Sequence, residues 1–232
     1  GRLAPDGSYT YVLASTDRAG NTAISDPVAV EIDTGDAEIA ISAEFGAFSP
    51  NADGVRDRQR LFLRVDRDEE VAEYRVEVRN QSGEGVRRFE GRGELQTSVT
   101  WDGTLASGRR AADGAYRSFL EVRFVNGVEI SAQTGEFVVD TAAPTVTVTV
   151  PYLLFSPDGD GERDLVRLTQ SSSTEEAWNA SIRDASGDLV REYFFTGSAD
   201  TIEWDGTDAA GNVVPDGSYF YEITSTDRAG NT

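Results

Sequence analysis

Side chains with oxygen atoms crowd into two short loops of the sequence, and chemistry is most plausible there. One loop reads Phe48-Ser-Pro-Asn-Ala-Asp-Gly-Val-Arg-Asp57, the other Phe155-Ser-Pro-Asp-Gly-Asp-Gly-Glu-Arg-Asp164. Oxygen donors fall at matching places: Asn51, Asp53 and Asp57 in the first, Asp158, Asp160 and Asp164 in the second, where Glu162 adds a fourth. A hard cation such as Ca2+ takes about six to eight oxygens, and a glycine-bent loop with alternate carboxylates can wrap around one. The spacing is that of the first half of an EF-hand loop. Its closing bidentate Glu is missing, because Phe62 and Thr169 stand there, so further ligands must come from elsewhere. The competing reading is an Asx-type turn in which Asp and Asn cap their own backbone. Calcium is expected more at the second loop than at the first, whose Asn51 carries no charge.

Most other chemistry is excluded by what the chain lacks. It has no Cys and no His, and all 21 basic residues are Arg. There is thus no disulfide, no thiol nucleophile, no imidazole base, no ordinary zinc site and no Lys–Asn isopeptide cross-link. Paired carboxylates abound, but none sits in a recognisable hydrolase motif. No catalytic or cofactor-binding residue is assigned, and the expectation is a protein that is not an enzyme. With 41 acidic against 21 basic side chains the net charge is −20, which repels nucleic acid and anionic lipid. No apolar run approaches the roughly 20 residues of a membrane span, and no signal peptide is visible.

The elements that position these loops are signalled by a recurring corner. Trp204-Asp-Gly-Thr-Asp-Ala-Ala-Gly-Asn-Val-Val-Pro-Asp-Gly-Ser-Tyr219 places an aromatic residue at the end of one β-run and a tyrosine at the start of the next. Trp101-Asp-Gly to Asp113-Gly-Ala-Tyr116 repeats it, and Pro5-Asp-Gly-Ser-Tyr9 keeps its second half. The repeat length of about 105 residues suits an immunoglobulin-like sandwich and is too long for a solenoid. The aromatics read as core and corner, each tyrosine hydroxyl bonding back to the corner backbone; the alternative is a stacking platform for sugars. The Asp-Gly pairs supply positive φ for the turns.

Three units follow from this: residues 1–33 as the C-terminal strands of a preceding repeat, 34–140 as a complete repeat, and 141–232 as a repeat lacking its last strand. In the first, Ser8–Ser15 and Pro27–Ile32 are strands flanking the Asp17–Asn21 turn. In the second, Ala37–Ala43, Arg60–Val65, Ala72–Arg79, Val86–Phe89, Ser98–Trp101, Tyr116–Phe124 and Val128–Val139 are strands, with Tyr74, Val76 and Val78 on one face. Gln81-Ser-Gly-Glu and Asn126-Gly127 are hairpin turns, the latter of type I′. In the third, Thr145–Val150, Asp164–Thr169, Asn179–Arg183, Leu189–Phe194, Thr201–Trp204 and Tyr219–Ser225 follow suit. Nothing keeps a helical period, so the class is all-β, in tandem immunoglobulin/fibronectin-III-like β-sandwiches. Arg56, Arg58, Arg60, Arg64 and Arg67 are expected to neutralise nearby carboxylates, and 66–70 to be a solvated loop.

The linkers Ile32-Asp-Thr-Gly-Asp36 and Val139-Asp-Thr-Ala-Ala-Pro-Thr145 are very short, so adjacent units should touch and form a semi-rigid rod. Topology puts the Phe-Ser-Pro loop, the Trp-Asp-Gly corner and the Asp140 linker together at the exit of each unit. The next unit presents its last hairpin turn there, which in the third unit contains Asp227 and Asn231. Both ends of the chain fall inside repeats, Ser225–Thr232 being identical to Ser15–Thr22. A piece of a longer array is expected. Its last unit should have a sheet edge that is disordered or accepts a strand from a neighbouring chain.

The corner Trp204-Asp-Gly-Thr-Asp through Tyr219-Phe-Tyr221 resembles the immunoglobulin-like domain of the flagellar hook-capping protein. Phe155–Asp164 is similar to the opening signature of related modules, some associated with gliding motility, and Val139–Pro144 resembles the linker of tandem bacterial Ig-like repeats. The middle unit departs from the pattern, with Leu105-Ala-Ser-Gly-Arg-Arg and Phe124-Val-Asn-Gly in its turns. The resemblance implies a β-sandwich, export to the cell surface or extracellular space (or the periplasm), and a structural or adhesive role. It also leaves open accessory, carbohydrate-binding or spacer modules of a secreted polysaccharide hydrolase.

Overall fold

A computed structural model of the chain describes residues 4–5, 7–32, 38–66 and 70–232. The junction at 33–36, Ala37 and Arg67 lie outside the described residues, as does most of the loop expected at 66–70. Among the described residues every regular element is a strand, and no helix is long and apolar enough to cross a membrane.

The N-terminal segment forms two short ladders. β1 (Gly7–Tyr11) pairs antiparallel with β4 (Val28–Ile32), and β2 (Ala14–Thr16) with β3 (Thr22–Ile24). The run expected as one strand over Ser8–Ser15 is therefore broken in two, and β3 is an addition. Serine 25 explains the break: its amide donates to the Leu13 carbonyl (2.8 Å) and its hydroxyl accepts from the Leu13 amide (3.0 Å), so a side chain interrupts the ladder.

Residues 39–139 enclose one core between two sheets. The first sheet orders β10 (Ser98–Trp101), β7 (Gln59–Val65) and β5 (Ile39–Ala43). The second contains β9 (Gly85–Arg92), β8 (Val71–Asn80), β11 (Gly114–Phe124), β13 (Phe137–Val139) and β6 (Ala47–Phe48) in that order, with β12 (Glu129–Gln133) also on β11. Strand alternation produces the core: Val71, Tyr74, Val76 and Val78 are all buried, as are Phe124, Val122 and Leu120, which pair with the first three in that order. The expected single strand over Val128–Val139 is two, because Thr134 is buried with its hydroxyl accepting from the Ser118 amide (3.0 Å) between them. Tyr74 lies over Gly91 of β9, where a Cβ would sit 2.3 Å from the ring.

Residues 146–224 repeat the plan. β14 (Val146–Thr149), β15 (Val166–Ser172) and β18 (Ile202–Trp204) form one sheet, and β17 (Leu189–Gly197), β16 (Glu175–Asp184) and β19 (Tyr219–Thr224) the other. Leu168, Ile182, Ile202 and Trp204 form the buried centre of the second core. These are tandem immunoglobulin/fibronectin-III-like β-sandwiches.

Among the described residues the ion pairs concentrate on the outer face of β8, β9 and β11, where Arg123–Glu73 (2.8 Å) and Arg88–Glu77 (3.0 Å) are cross-strand pairs and Arg79–Glu77 (2.6 Å) joins neighbours along β8. Of the Arg run on β7 and the loop before it, Arg60 lies over the Phe62 ring and Arg56 over Phe45. These two guanidiniums cover aromatic rings.

Candidate functional site

In the two Asp-rich loops the side chains bond first to their own backbone. The Asp57 carboxylate accepts from the Ala52 amide (2.5 Å) and the Gly54 amide (2.8 Å), Asp53 from Val55 (2.7 Å), and the Asn51 carbonyl oxygen from Asp53 (3.0 Å). The second loop matches it. Asp164 accepts from Gly159 (2.8 Å) and Gly161 (2.9 Å), Asp160 from Glu162 (2.7 Å), and Asp158 from Asp160 (3.2 Å). Linked Asx turns fold both loops. The Val55 amide, and then the Asn51 side chain, hold the Asp53 carboxyl below the usual carboxylate range.

What remains for a cation differs between the loops. Asp158, Asp160 and Asp164 present carboxylate oxygens within 4.8 Å of one another. Each carboxylate oxygen keeps a lone pair after accepting one amide, so these three side chains fit a hard cation. Glu162, the fourth expected donor, is not in that group. In the first loop the Asn51 amide nitrogen donates to Asp53 (2.8 Å) and to Asn231 (3.2 Å), which orients it as a link between segments.

Asn231 belongs to the Asp227–Asn231 turn, and this turn is one of a set. In Asp17–Asn21, Asp184–Asp188, Asp208–Asn212 and Asp227–Asn231, the first carboxylate accepts from the amides of the third and fifth residues, at 2.8 to 2.9 Å. The fourth residue is a glycine at positive φ. Asn80–Glu84 uses an amide side chain the same way. The Phe124–Val128 turn has this backbone too: Gly127 has φ +89, but Asn126 is not at positive φ, so the turn is not type I′. The side chain of Asn126 caps the Val128 amide instead (2.9 Å), which favours a type I turn followed by left-handed glycine.

The Asp227–Asn231 turn is seated on the first loop. Asn231, 2 % exposed, donates to the Asp140 carbonyl (3.0 Å) and accepts from Asn51. The Arg56 guanidinium donates to the Arg228 carbonyl. Val55 lies against Gly230, so closely that a Cβ there would come within 2.6 Å of it. Pro50 packs on Gly103 of the Trp-Asp-Gly corner, and the Asp140 amide donates to the Phe48 carbonyl (3.1 Å). Loop, corner, linker and next turn thus meet, as topology predicts. Sequence reasoning missed Val55 and Arg56. The signal for Arg56 is conformational: Arg56 (φ +47) and Arg163 (φ +60) are non-glycine residues at positive φ in the same place of each loop.

The corner aromatics are structural. Trp101 is fully buried and Trp204 nearly so, and each indole N–H donates to a corner carbonyl (Thr104 and Thr207, both 2.9 Å). Tyr9, Tyr116 and Tyr219 donate to the carbonyls of Pro5, Ala112 and Pro215 at 2.6 to 2.8 Å. Gly103 and Gly206 adopt the positive φ expected of the Asp-Gly pairs, whereas Gly217 does not.

The profile of the FlgD Ig-like domain matches residues 51–122 and again 155–229. The chain belongs to the FlgD Ig-like domain family. Each match starts in or at an Asx-turn loop, and the second runs into the turn that docks on the first. No curated protein matches the sequence. Among solved structures, a tetra-tandem repeat from the extending region of a large adhesion protein is 19 % identical over 97 % of this chain and 54 % of that one, with a TM-score of 0.38. The fibronectin(III)-like modules of Clostridium thermocellum CbhA are 13 % identical, covering 82 % of this chain and 87 % of theirs (TM-score 0.40). A 1.5-MDa bacterial ice-binding adhesin is 14 % identical, covering 84 % and 60 % (TM-score 0.43). This chain spans about half the length of the first of these structures.

Proposed function

We propose that the chain is a non-enzymatic structural segment of a long exported bacterial protein, acting as stalk, spacer, adhesin segment or filament building block at the cell surface, outside the cell or in the periplasm. In this reading residues 1–33, 34–140 and 141–232 are successive repeats, and their partners are neighbouring repeats or other copies of the protein. The observation that carries it is the joint: a buried Asn231 bonded to both Asp140 and Asn51, which couples two sandwiches across a short linker. A segment whose most specific contacts hold its own units in line is suited to bearing load or spanning distance. The burial of Trp101 and Trp204 counts against the alternative of accessory sugar-binding modules, which would need those rings on the surface. The test is small-angle X-ray scattering of the Asn231→Ala variant. Its maximum dimension should spread into a broad distribution while both sandwiches stay folded; an unchanged, narrow distribution refutes the reading.

Calcium is part of the proposal at the second loop, where Asp158, Asp160 and Asp164 converge. Bound there, a cation would offset the mutual repulsion of three carboxylates and stiffen the loop. Thermal melts in millimolar calcium and in chelator should separate by several degrees, and the Asp160→Asn variant should lose the difference. Coincident melts of the unaltered chain remove calcium from the account.

A further inference from the structure

The two sandwiches treat one sheet edge differently. β17 and β9 are the edge strands of corresponding sheets, and among the described residues no strand pairs with the free side of either. On β16 the Asp184 amide donates to the Asp188 carbonyl (3.0 Å), so every second position back along that strand bonds toward β17. Ala180 and Trp178 are two of these positions, and their partners are Tyr193 and Phe195. The backbone amides and carbonyls of Glu192, Phe194 and Thr196 therefore point away from the sheet. On β8 the Asn80 amide donates to the Glu84 carbonyl (3.0 Å), and the same alternation leaves those of Arg88, Glu90 and Arg92 pointing outward from β9. The start of each edge is closed, because the corner donates an amide to the Val190 carbonyl (from Ala209, 3.1 Å) and to the Val86 carbonyl (from Ala106, 2.8 Å).

An edge strand that pairs antiparallel with an identical copy uses all of these outward positions only when a twofold axis passes through the middle one. On β9 that register sets Glu90 against Glu90, and Arg88 against Arg92 on either side. Like charges directly opposite one another destabilise a sheet, so β9 disfavours its own copy there. On β17 the same register sets Phe194 against Phe194, Glu192 against Thr196 and Arg191 against Gly197, and opposes no like charges. Phe194 stands on the outer face, 71 % exposed, and the register brings the two rings side by side across the axis. Tyr193 and Phe195 face the core and are half-buried at its rim, and each comes to lie beside the copy of the other.

We propose that β17 pairs antiparallel with β17 of a second copy of this chain, about a twofold axis at Phe194, so that the two β17–β16–β19 sheets become one. About six backbone hydrogen bonds join the copies, each opposed pair of outward residues exchanging both of its bonds. The backbone supplies the attraction, and the Phe194 pair flanked by Glu192–Thr196 fixes the register. The −20 charge of each copy opposes the association, so the pairing strengthens as salt screens that repulsion. It needs neither the Asn231 joint nor a cation at the second loop, and its test touches neither.

Sedimentation equilibrium of the chain up to millimolar concentration should show dimers, and more of them as salt rises from about 0.1 M to about 1 M, where the Debye length falls from about 10 Å to about 3 Å. Phe194→Arg and Phe194→Glu, each at an exposed ring, should weaken dimerisation by about tenfold or more, because each sets like charges on the axis. An equimolar mixture of the two variants should restore it, since opposite charges then meet there. In the unaltered chain, hydrogen exchange at the Glu192, Phe194 and Thr196 amides should slow by about threefold or more between micromolar and millimolar concentration, and at the Arg88, Glu90 and Arg92 amides it should not. The proposal is overturned by a chain that stays monomeric in high salt, by variants that associate as the unaltered chain does, by a mixture that associates no better than its components, or by β17 amides whose exchange ignores concentration.

Discussion

The docking of the Asp227–Asn231 turn can be isolated by one substitution made twice. Gly20 and Gly230 hold the fourth place of identical Asp-Arg-Ala-Gly-Asn turns, at φ +91 and +96. Alanine at either position costs about 1–2 kcal/mol for the left-handed backbone. The surroundings differ. A Cβ on Gly20 meets nothing within 4 Å, whereas one on Gly230 would lie 2.6 Å from Val55 Cγ1 and 3.7 Å from Arg56 Cδ. Carbon atoms rest about 3.5–4.0 Å apart, so the turn and Val55 must separate by about 1 Å. The Asn231 bonds, at 3.0 and 3.2 Å, do not survive that stretch. Losing these two and the Arg56–Arg228 bond, at about 1 kcal/mol each, shifts the docked-to-undocked equilibrium on the order of 100-fold.

The assay is nitrogen-15 relaxation, which reports whether the two sandwiches tumble together. Gly230→Ala should give two shorter, separate rotational correlation times, and Gly20→Ala should leave the joint value of the unaltered chain. Val55 offers the escape from this reasoning, because it is 48 % exposed and could turn aside. Joint tumbling retained in Gly230→Ala, or lost equally in Gly20→Ala, refutes the argument that docking depends on this contact.

Other outcomes follow from the corners and the carboxylates. Tyr116→Phe removes the bond to the Ala112 carbonyl (2.8 Å) at a buried ring, and should cost about 1–2 kcal/mol in chemical denaturation of the middle sandwich; Tyr9→Phe, on an exposed ring, should cost that segment much less. Gly103→Ala combines φ +73 with a Cβ 2.6 Å from Pro50 and should cost about 2–4 kcal/mol in the same assay. Acid should destabilise the fold in a defined window. Hydrogen bonds hold several carboxyls below their ordinary values: Asn21 to Asp17, Val55 to Asp53, Arg88 to Glu77, Thr207 to Asp205 and Asn212 to Asp208. A carboxyl lowered in the folded state contributes stability that is whole above its unfolded value, near 3.8 for Asp and 4.5 for Glu, and is lost as pH falls through the folded value. Relief of the −20 charge acts oppositely on the way down to the isoelectric point near 4.3 and is spent there. The melting temperature should therefore hold or rise slightly from pH 7 to about 4.5 and then drop; a melting temperature still rising at pH 3 refutes the sign.

What the sequence made legible was the chemistry that closes within a few residues. Asp-x-x-Gly-Asn names its own turn, since the carboxylate, the amides it accepts from and the left-handed glycine all lie within five positions. The tyrosine corner spans four residues, and alternation along 74–78 decides its face without outside help. Reasoning weakened where a distant group chose between local options. Thr134 splits one apolar run into two strands only because Ser118 lies opposite, and Asn126-Gly turned out to cap rather than invert its hairpin. At the joint, fold topology was enough to bring Asp140, Asn51 and Asn231 together, because those positions end elements whose order is set by the sandwich. Val55 and Arg56 were not legible, because their role depends on the tilt of one sandwich against the next, to within about an ångström. The Asp-rich loops show the same division from the other side. Their carboxylates stand at metal-ligand spacing and at Asx-turn spacing at once, since both arrangements need an oxygen every second residue aimed at the loop's interior. Sequence pattern alone cannot separate the two, and in the first loop it is a contact 180 residues away, Asn51 to Asn231, that turns the loop into a docking surface.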